Sequence, residues 1–205
     1  MADVKVFEQD INGNSFSAKA EAELQPQVFT LFEIIEEIPA SKIKDGFIIE
    51  AGFLLFTLSG KDNVYRIQSP DFTNDPFSSL TDDLSIALFV QLEQMHLLRQ
   101  YNIVGESTRF DEKILIVKGA LSEQKIILQR SGDCSKGDSG WNIRSAEDTE
   151  EHDDPSDYEA VHAYQLLKLR QPIIKILSLP YEYLVVFDGN DIEAIINEND
   201  ENLLE

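Results

Sequence analysis

Cysteine is almost absent from this 205-residue chain: the single thiol, Cys134, has no internal partner for a disulfide, as suits a reducing cytosol. Long apolar runs are missing too. Gly, Glu, Gln or Arg breaks each one well before the ~20 residues needed to cross a bilayer. Met1-Ala2-Asp3-Val4-Lys5 offers neither a basic region followed by an apolar one nor a small-residue cleavage site, so secretion by that route is not expected. Basic side chains are scarce: 17 Lys and Arg stand against 38 Asp and Glu, a formal charge of -21. That field repels phosphate backbones and anionic lipid, so neither nucleic acid nor membrane is an expected partner. It attracts basic macromolecules, and it also serves simple solubility.

The 42% apolar content is ordinary for a folded chain, and the length allows one sizeable core or two small domains. Residues 1–27 alternate only weakly and read as an irregular or edge-strand lead-in. From Thr30 a helical pattern places Leu31, Phe32, Ile35 and Ile38 on one face and ends before Pro39. Strands are expected at 46–50, 53–57 and 64–68, with turn chemistry at Ser59-Gly60-Lys61-Asp62-Asn63. A long helix is expected to start near Thr81, its hydroxyl capping and Asp82 and Asp83 facing the positive end of the helix dipole. Leu84, Ala87, Leu88, Leu92, Met95 and Leu98 form its stripe. Further strands are expected around Ile103, 114–117, 126–128 and 141–143. A second helix is expected at Ser156, where Ser156-Asp157-Tyr158-Glu159 spells a capping box. A strand at 183–187 closes the fold, and an acidic, solvated tail follows Asp188. The pattern is α+β, with antiparallel sheet and at least two helices, divided as 1–120, 121–188 and a tail 189–205.

Two stretches are alike. Tyr65-Arg66-Ile67-Gln68-Ser69, then Asp75-Pro76, can be laid over Trp141-Asn142-Ile143-Arg144-Ser145, then Asp154-Pro155. Either one strand-loop-helix unit is repeated, or both are ordinary strand exits punctuated by Asp-Pro.

Gly137-Asp138-Ser139-Gly140 spells the tetrapeptide around a trypsin-like nucleophile, but a serine needs a positioned base and oxyanion donors. Trp141-Asn142 stands where that family continues Gly-Pro, and none of His96, His152 or His162 has the matching context, so a polar turn before a strand anchored by Trp141 is the better account. Glu147 to Glu159 holds eight carboxylates and no Lys or Arg. It has no glycine to shape a calcium loop, and His152 has no partner at ligand spacing, so no metal is expected. Gly60-Lys61 lacks the upstream glycine of a phosphate loop, and GxGxxG is absent. No cofactor is called for.

The order Asp138-Ser139-Gly140-Trp141, a polar-apolar strand, Ser145 with Glu147, an acidic run to Asp154-Pro155, an aromatic helix, then Ile173-Ile174 and Leu177 before Pro180 resembles an Imm-type bacterial immunity-protein domain. The likeness covers roughly residues 121–188, and the DSGW tetrapeptide is its most specific part. The chain departs from the family at Ser145-Ala146-Glu147, usually Gly-Asp-Glu, at Ser178, usually Asp, and at Glu182, usually glycine. The resemblance implies a cytoplasmic, non-catalytic antidote that binds and neutralises a cognate toxin. The candidate contact residues are Asp138, Trp141, Glu147, Asp148, Glu150, Glu151, Asp153 and Asp154, carboxylates around an aromatic anchor that suit a basic toxin surface. The competing class is a general acidic adaptor or a mimic of nucleic acid.

Overall fold

Two-residue turns that tolerate a left-handed backbone set much of the architecture. In the computed structural model, which describes residues 3–148 and 154–204, Asn12 and Gly13 have φ of 52° and 82°. Positive φ at both central residues is the hairpin turn whose twist matches its strands, and it joins β1 (Val4–Ile11) to β2 (Asn14–Glu21). The expected irregular lead-in is therefore a paired hairpin. Its alternation is faint because the inward phase of β2 is Asn14, Phe16, Ala18 and Ala20, half of it alanine.

Contacts divide the chain into two units, 1–92 and 93–205. In the first, α1 (Gln25–Glu36) buries Val28, Leu31, Phe32 and Ile35, the i, i+3, i+4, i+7 face of a helix. It starts before Thr30 because Pro26 is admitted in the first turn, where its missing N–H costs nothing. Then follow β3 (Ile48–Ala51), β4 (Leu54–Lys61), β5 (Val64–Pro70) and the short β6 (Leu80–Thr81). The sheet runs β1-β2-β5-β4-β3, with β6 on β5. Only β2 and β5 are parallel, and across that pair Phe16 stacks on Tyr65 with ring centroids 5.7 Å apart. The expected long helix is α2 (Ser85–Gln100). Thr81 is a strand residue whose Oγ1 accepts from Asp83 N–H, while Asp83 Oδ1 accepts from the Ser85 N–H at 3.1 Å and so sits at the helix entry. The division between units falls inside α2.

The second unit holds β7 (Lys113–Val117), β8 (Lys125–Arg130), β9 (Asp138–Ser145), β10 (Tyr158–His162), β11 (Leu184–Asp188) and β12 (Asp191–Ile196). Between β10 and β11 lie the single-turn α3 (Leu166–Leu169) and a 3-10 segment, Gln171–Ile176. The sheet order is β10-β7-β9-β8-β11-β12, parallel only at β7–β9. Its core includes Ile114, Ile126, Leu128, Trp141, Ile143 and Phe187. From the helical side, Gln94 Nε2 of α2 donates to the Ile174 carbonyl at 3.0 Å.

Three expectations are corrected here. The helix at Ser156 does not form: Pro155–Asp157 make one 3-10 turn, and β10 follows at once, paired with the free edge of β7. The edge of β7 offers Tyr158 to His162 a ladder of backbone partners along one side, which outweighs a local capping signal. The tail is not all solvated, since Gly189-Asn190 turns the chain back and β12 pairs with β11. No strand forms around Ile103, where residues 103–109 have no regular structure. The region 121–188 is part of a larger unit, which begins at Glu93 and takes in the residues after 188.

The similarity between the two stretches is expressed in the strands alone. β5, carrying Tyr65-Arg66-Ile67, and β9, carrying Trp141-Asn142-Ile143, are each third in their sheet. Each lies parallel to an earlier strand and antiparallel to the one just before it. Each points its aromatic residue and its isoleucine inward. Beyond them the order differs: β6 and then α2 follow β5, whereas β10 follows β9.

Candidate partner-binding surface

Asp138-Ser139-Gly140-Trp141 opens β9, and its polar groups are committed to the backbone around them. Asp138 Oδ1 accepts from Gly140 N–H at 3.1 Å. The buried Ser139 hydroxyl donates to the Lys113 carbonyl at 2.6 Å and accepts from Trp141 N–H at 3.2 Å. Gly140 has φ of 79°, and a Cβ there would lie 2.2 Å from the Ser131 carbonyl oxygen, so only glycine fits. The result is a bulge. Lys113 pairs with Asp138 but Leu115 pairs with Asn142, so β9 spends two extra residues against β7. A serine held in this way is a structural residue, not a poised nucleophile.

The bulge leads into Trp141, which is 0% exposed and fills the core as expected. Its indole N–H does not find the expected partner: among the described residues Nε1 is buried without an acceptor. What meets the ring is a cation, the Arg130 guanidinium, 5.7 Å from the ring centroid. Arg130 is itself 1% exposed, at the end of β8 in the inward phase of Ile126 and Leu128. Nε donates to Ser139 O and Nη1 to the carbonyls of Glu106 and Leu179. The Tyr181 ring covers it at 4.4 Å. Burial pulls its pKa down, and Tyr181, Glu106, Glu112 and Cys134 partly restore it. No ion pair to Arg130 is present among the described residues, so carbonyl dipoles and rings carry the charge. Sequence reasoning passed over this residue, although a charge in the inward phase of a strand was the available signal.

Outside Tyr181 opens a cleft of about 610 Å³, lined by Tyr101, Tyr181, Tyr183, Glu106, Glu182 and Glu198 among others. Glu182 sits at φ 65°, a left-handed conformation, at the position where the family it resembles usually carries glycine. Its carboxylate accepts from Gly132 N–H at 3.0 Å. Burial lifts the Tyr183 phenol above its ordinary pKa, and Glu198, by its charge and by accepting the phenol's hydrogen bond, lifts it further.

The sequence profile of the Imm33-like domain matches residues 93–198, just over half of the chain. The chain belongs to the Imm33-like family. An immunity-protein-type domain thus occupies its C-terminal part, and the match begins at the residue where the second unit begins. No curated protein and no solved structure matches the chain. Among the described residues no helix is long and apolar enough to cross a membrane.

Within the Imm33-like domain the expected contact residues separate into three groups. Trp141 is enclosed, so it holds β9 in place and cannot touch a partner directly. Asp138 is half-buried in the bulge. Glu147, exposed, and Asp148, half-buried, leave β9, while Asp154, exposed, enters the turn before β10, so these three lie on either side of one stretch of sequence. Glu150, Glu151 and Asp153 lie outside the described residues. Asp154 caps the turn by accepting from Ser156 N–H at 2.8 Å. Hydrogen bonds from the Ser156 N–H and hydroxyl hold its pKa below the usual carboxylate value, with a smaller effect from Lys118. Lys118 in turn donates to the Ser156 carbonyl.

Proposed function

We propose that this protein is a non-catalytic immunity protein that binds a cognate bacterial toxin in the cytoplasm and neutralises it through an acidic surface. The observation that carries this is membership of the Imm33-like family over residues 93–198. The charge of -21 supports a basic partner, because complementary potentials speed encounter and reject wrong partners. The acidic segment of sequence between β9 and β10 is the first stretch to consider. Glu147, Asp148 and Asp154 stand at its ends, and Glu150, Glu151 and Asp153 lie within it. Asp138 belongs to the same strand, β9. Crowded like charges destabilise the free protein, and a basic partner relieves that repulsion.

The test is co-expression with the toxic domain encoded in its gene neighbourhood, scoring survival together with a stable complex. Replacing Glu150, Glu151, Asp153 and Asp154 by Gln or Asn is expected to slow association on the order of tenfold at low salt and to flatten its salt dependence. Survival without a complex, or association unchanged across salt, overturns the surface assigned here. Salt-sensitive binding to many unrelated basic proteins, with no protection from a toxin, would identify an acidic adaptor or nucleic-acid mimic instead.

A further inference from the structure

The cleft beside Arg130 combines features that a solvated acidic face does not need. Tyr101, Tyr181 and Tyr183 give it aromatic walls, Glu106, Glu182 and Glu198 give it carboxylates, and no lysine or arginine is among the described residues that line it. The three glutamates have no ion-pair partner among the described residues. Glu182 is engaged with Gly132 and Glu198 with Tyr183, and both remain exposed, as does Glu106. Arg130 lies inside Tyr181 and offsets only part of that charge. On the lining, Val104 is 91% exposed, a branched apolar side chain with almost nothing covering it.

We propose that this cleft receives an arginine side chain presented by a loop of the toxin, an inference that rests on the immunity function above. Guanidinium is the cation that fits. It is planar and weakly hydrated, it stacks on phenol rings, and its forked donors match a carboxylate, whereas an ammonium is a compact and strongly hydrated point charge. The protein already seats one guanidinium against Tyr181, from within. A volume of about 610 Å³ is more than one side chain fills, so the residues flanking the arginine enter as well, and Val104 offers them an apolar contact. Tyrosines with two χ angles lose little entropy on binding, which suits them as anchors inside a charged rim.

The peptide acetyl-Gly-Arg-Gly-amide, titrated into the 15N-labelled full chain, tests the cleft without the toxin, with Lys and Gln peptides as controls. The arginine peptide is expected to shift the amides of Tyr101, Gly132, Tyr181 and Tyr183, the lysine peptide to do so more weakly and the glutamine peptide not at all. Glu106→Gln/Glu198→Gln, both at exposed positions, is expected to abolish the shifts while the rest of the spectrum stays unchanged; Glu106→Gln alone serves if the pair misfolds. Equal response to all three peptides, or shifts that survive in the variant, overturns the proposal. In the co-expression assay the double variant is expected to bind the toxin about tenfold more weakly. Full binding by the variant sinks the cleft and leaves the immunity function standing. Failure of the unaltered chain to bind any toxin sinks that function, while the peptide titration still decides what the cleft accepts.

Discussion

Replacing Arg130 by Met tests whether one buried cation holds the second unit together. The guanidinium bonds the carbonyls of Ser139 and Leu179, both in buried residues, and that of Glu106, which is exposed and where water can substitute. Hydrogen bonds to a charged group contribute about 1.5–3 kcal/mol each, so losing the two buried ones costs about 3–6 kcal/mol. The stack on Tyr181 adds ~1 kcal/mol to the loss, and burying the Met side chain returns ~1–2 kcal/mol. A net destabilisation of about 2–6 kcal/mol is expected, a large share of the ~5–15 kcal/mol that stabilises a typical domain. Arg130→Lys keeps the charge but cannot span the carbonyls of Ser139, Glu106, Leu179 and Ser107 together, and it should fall between Met and wild type. The assay is urea unfolding followed by the fluorescence of Trp141, the protein's one tryptophan, which lies beside the substituted residue and so reports the second unit. A Met variant within 1 kcal/mol of wild type, at unchanged m-value, would refute this account; the carbonyls would then be satisfied by other means.

Two further outcomes follow from local geometry. At Glu182, whose φ is 65°, Glu182→Gly should be more stable than Glu182→Ala by about 1 kcal/mol, the reverse of the usual order; equal midpoints in urea would show the backbone there to be unstrained. Asp154 has a folded pKa below its ordinary 3.8, so its cap contributes fully above that pH and is lost as pH falls through the folded value. A carboxyl NMR titration should give a midpoint below 3.8, and Ser156→Ala, which deletes the hydroxyl bond but keeps the N–H, should return it part of the way; a wild-type midpoint at or above 3.8 would contradict the cap.

The strands that carry aromatic and branched residues in alternation, β3 to β5, β7 to β9 and β11, were legible because their inward phase is strongly apolar. Where the signal was weaker it lay elsewhere in the sequence. Asn12-Gly13 is the strongest short hairpin signal there is, yet alanines in β2 mask the alternation beside it. Tyr158-Glu159-Ala160-Val161-His162 does not alternate cleanly, with Ala160 and Val161 side by side, and the capping box at its start points to a helix, so only the open edge of β7 makes it a strand. Thr81 looks like a cap because Asp82 and Asp83 follow it; the structure passes that duty to Asp83. The candidate site was legible as chemistry but not as placement. Sequence marks DSGW as special without saying that its serine and glycine serve a bulge, and nothing local reveals that Arg130, Tyr181 and Glu106, far apart in the chain, meet. The glycine-to-glutamate departure at Glu182 was visible, but its meaning depends on a dihedral angle.

The position of α2 restricts how this family domain can be moved between proteins. The Imm33-like match and the second unit both start at Glu93, yet Glu93 lies in mid-helix, between the entry at Asp83 and the end at Gln100. A fragment trimmed to the match keeps only Glu93–Gln100. Helices shorter than ~12–15 residues are marginal in water, and this one would also lose the Asp83 entry. Gln94, bonded to the Ile174 carbonyl, and the buried Leu97 would then hang from a frayed end. A gene fusion with its breakpoint at the family boundary would deliver a damaged immunity module, whereas one made upstream of Asp83 carries the whole helix along. Recombination in this lineage should therefore leave its joints before the helix, and any new N-terminal segment grafted closer than that has to bring two helical turns of its own.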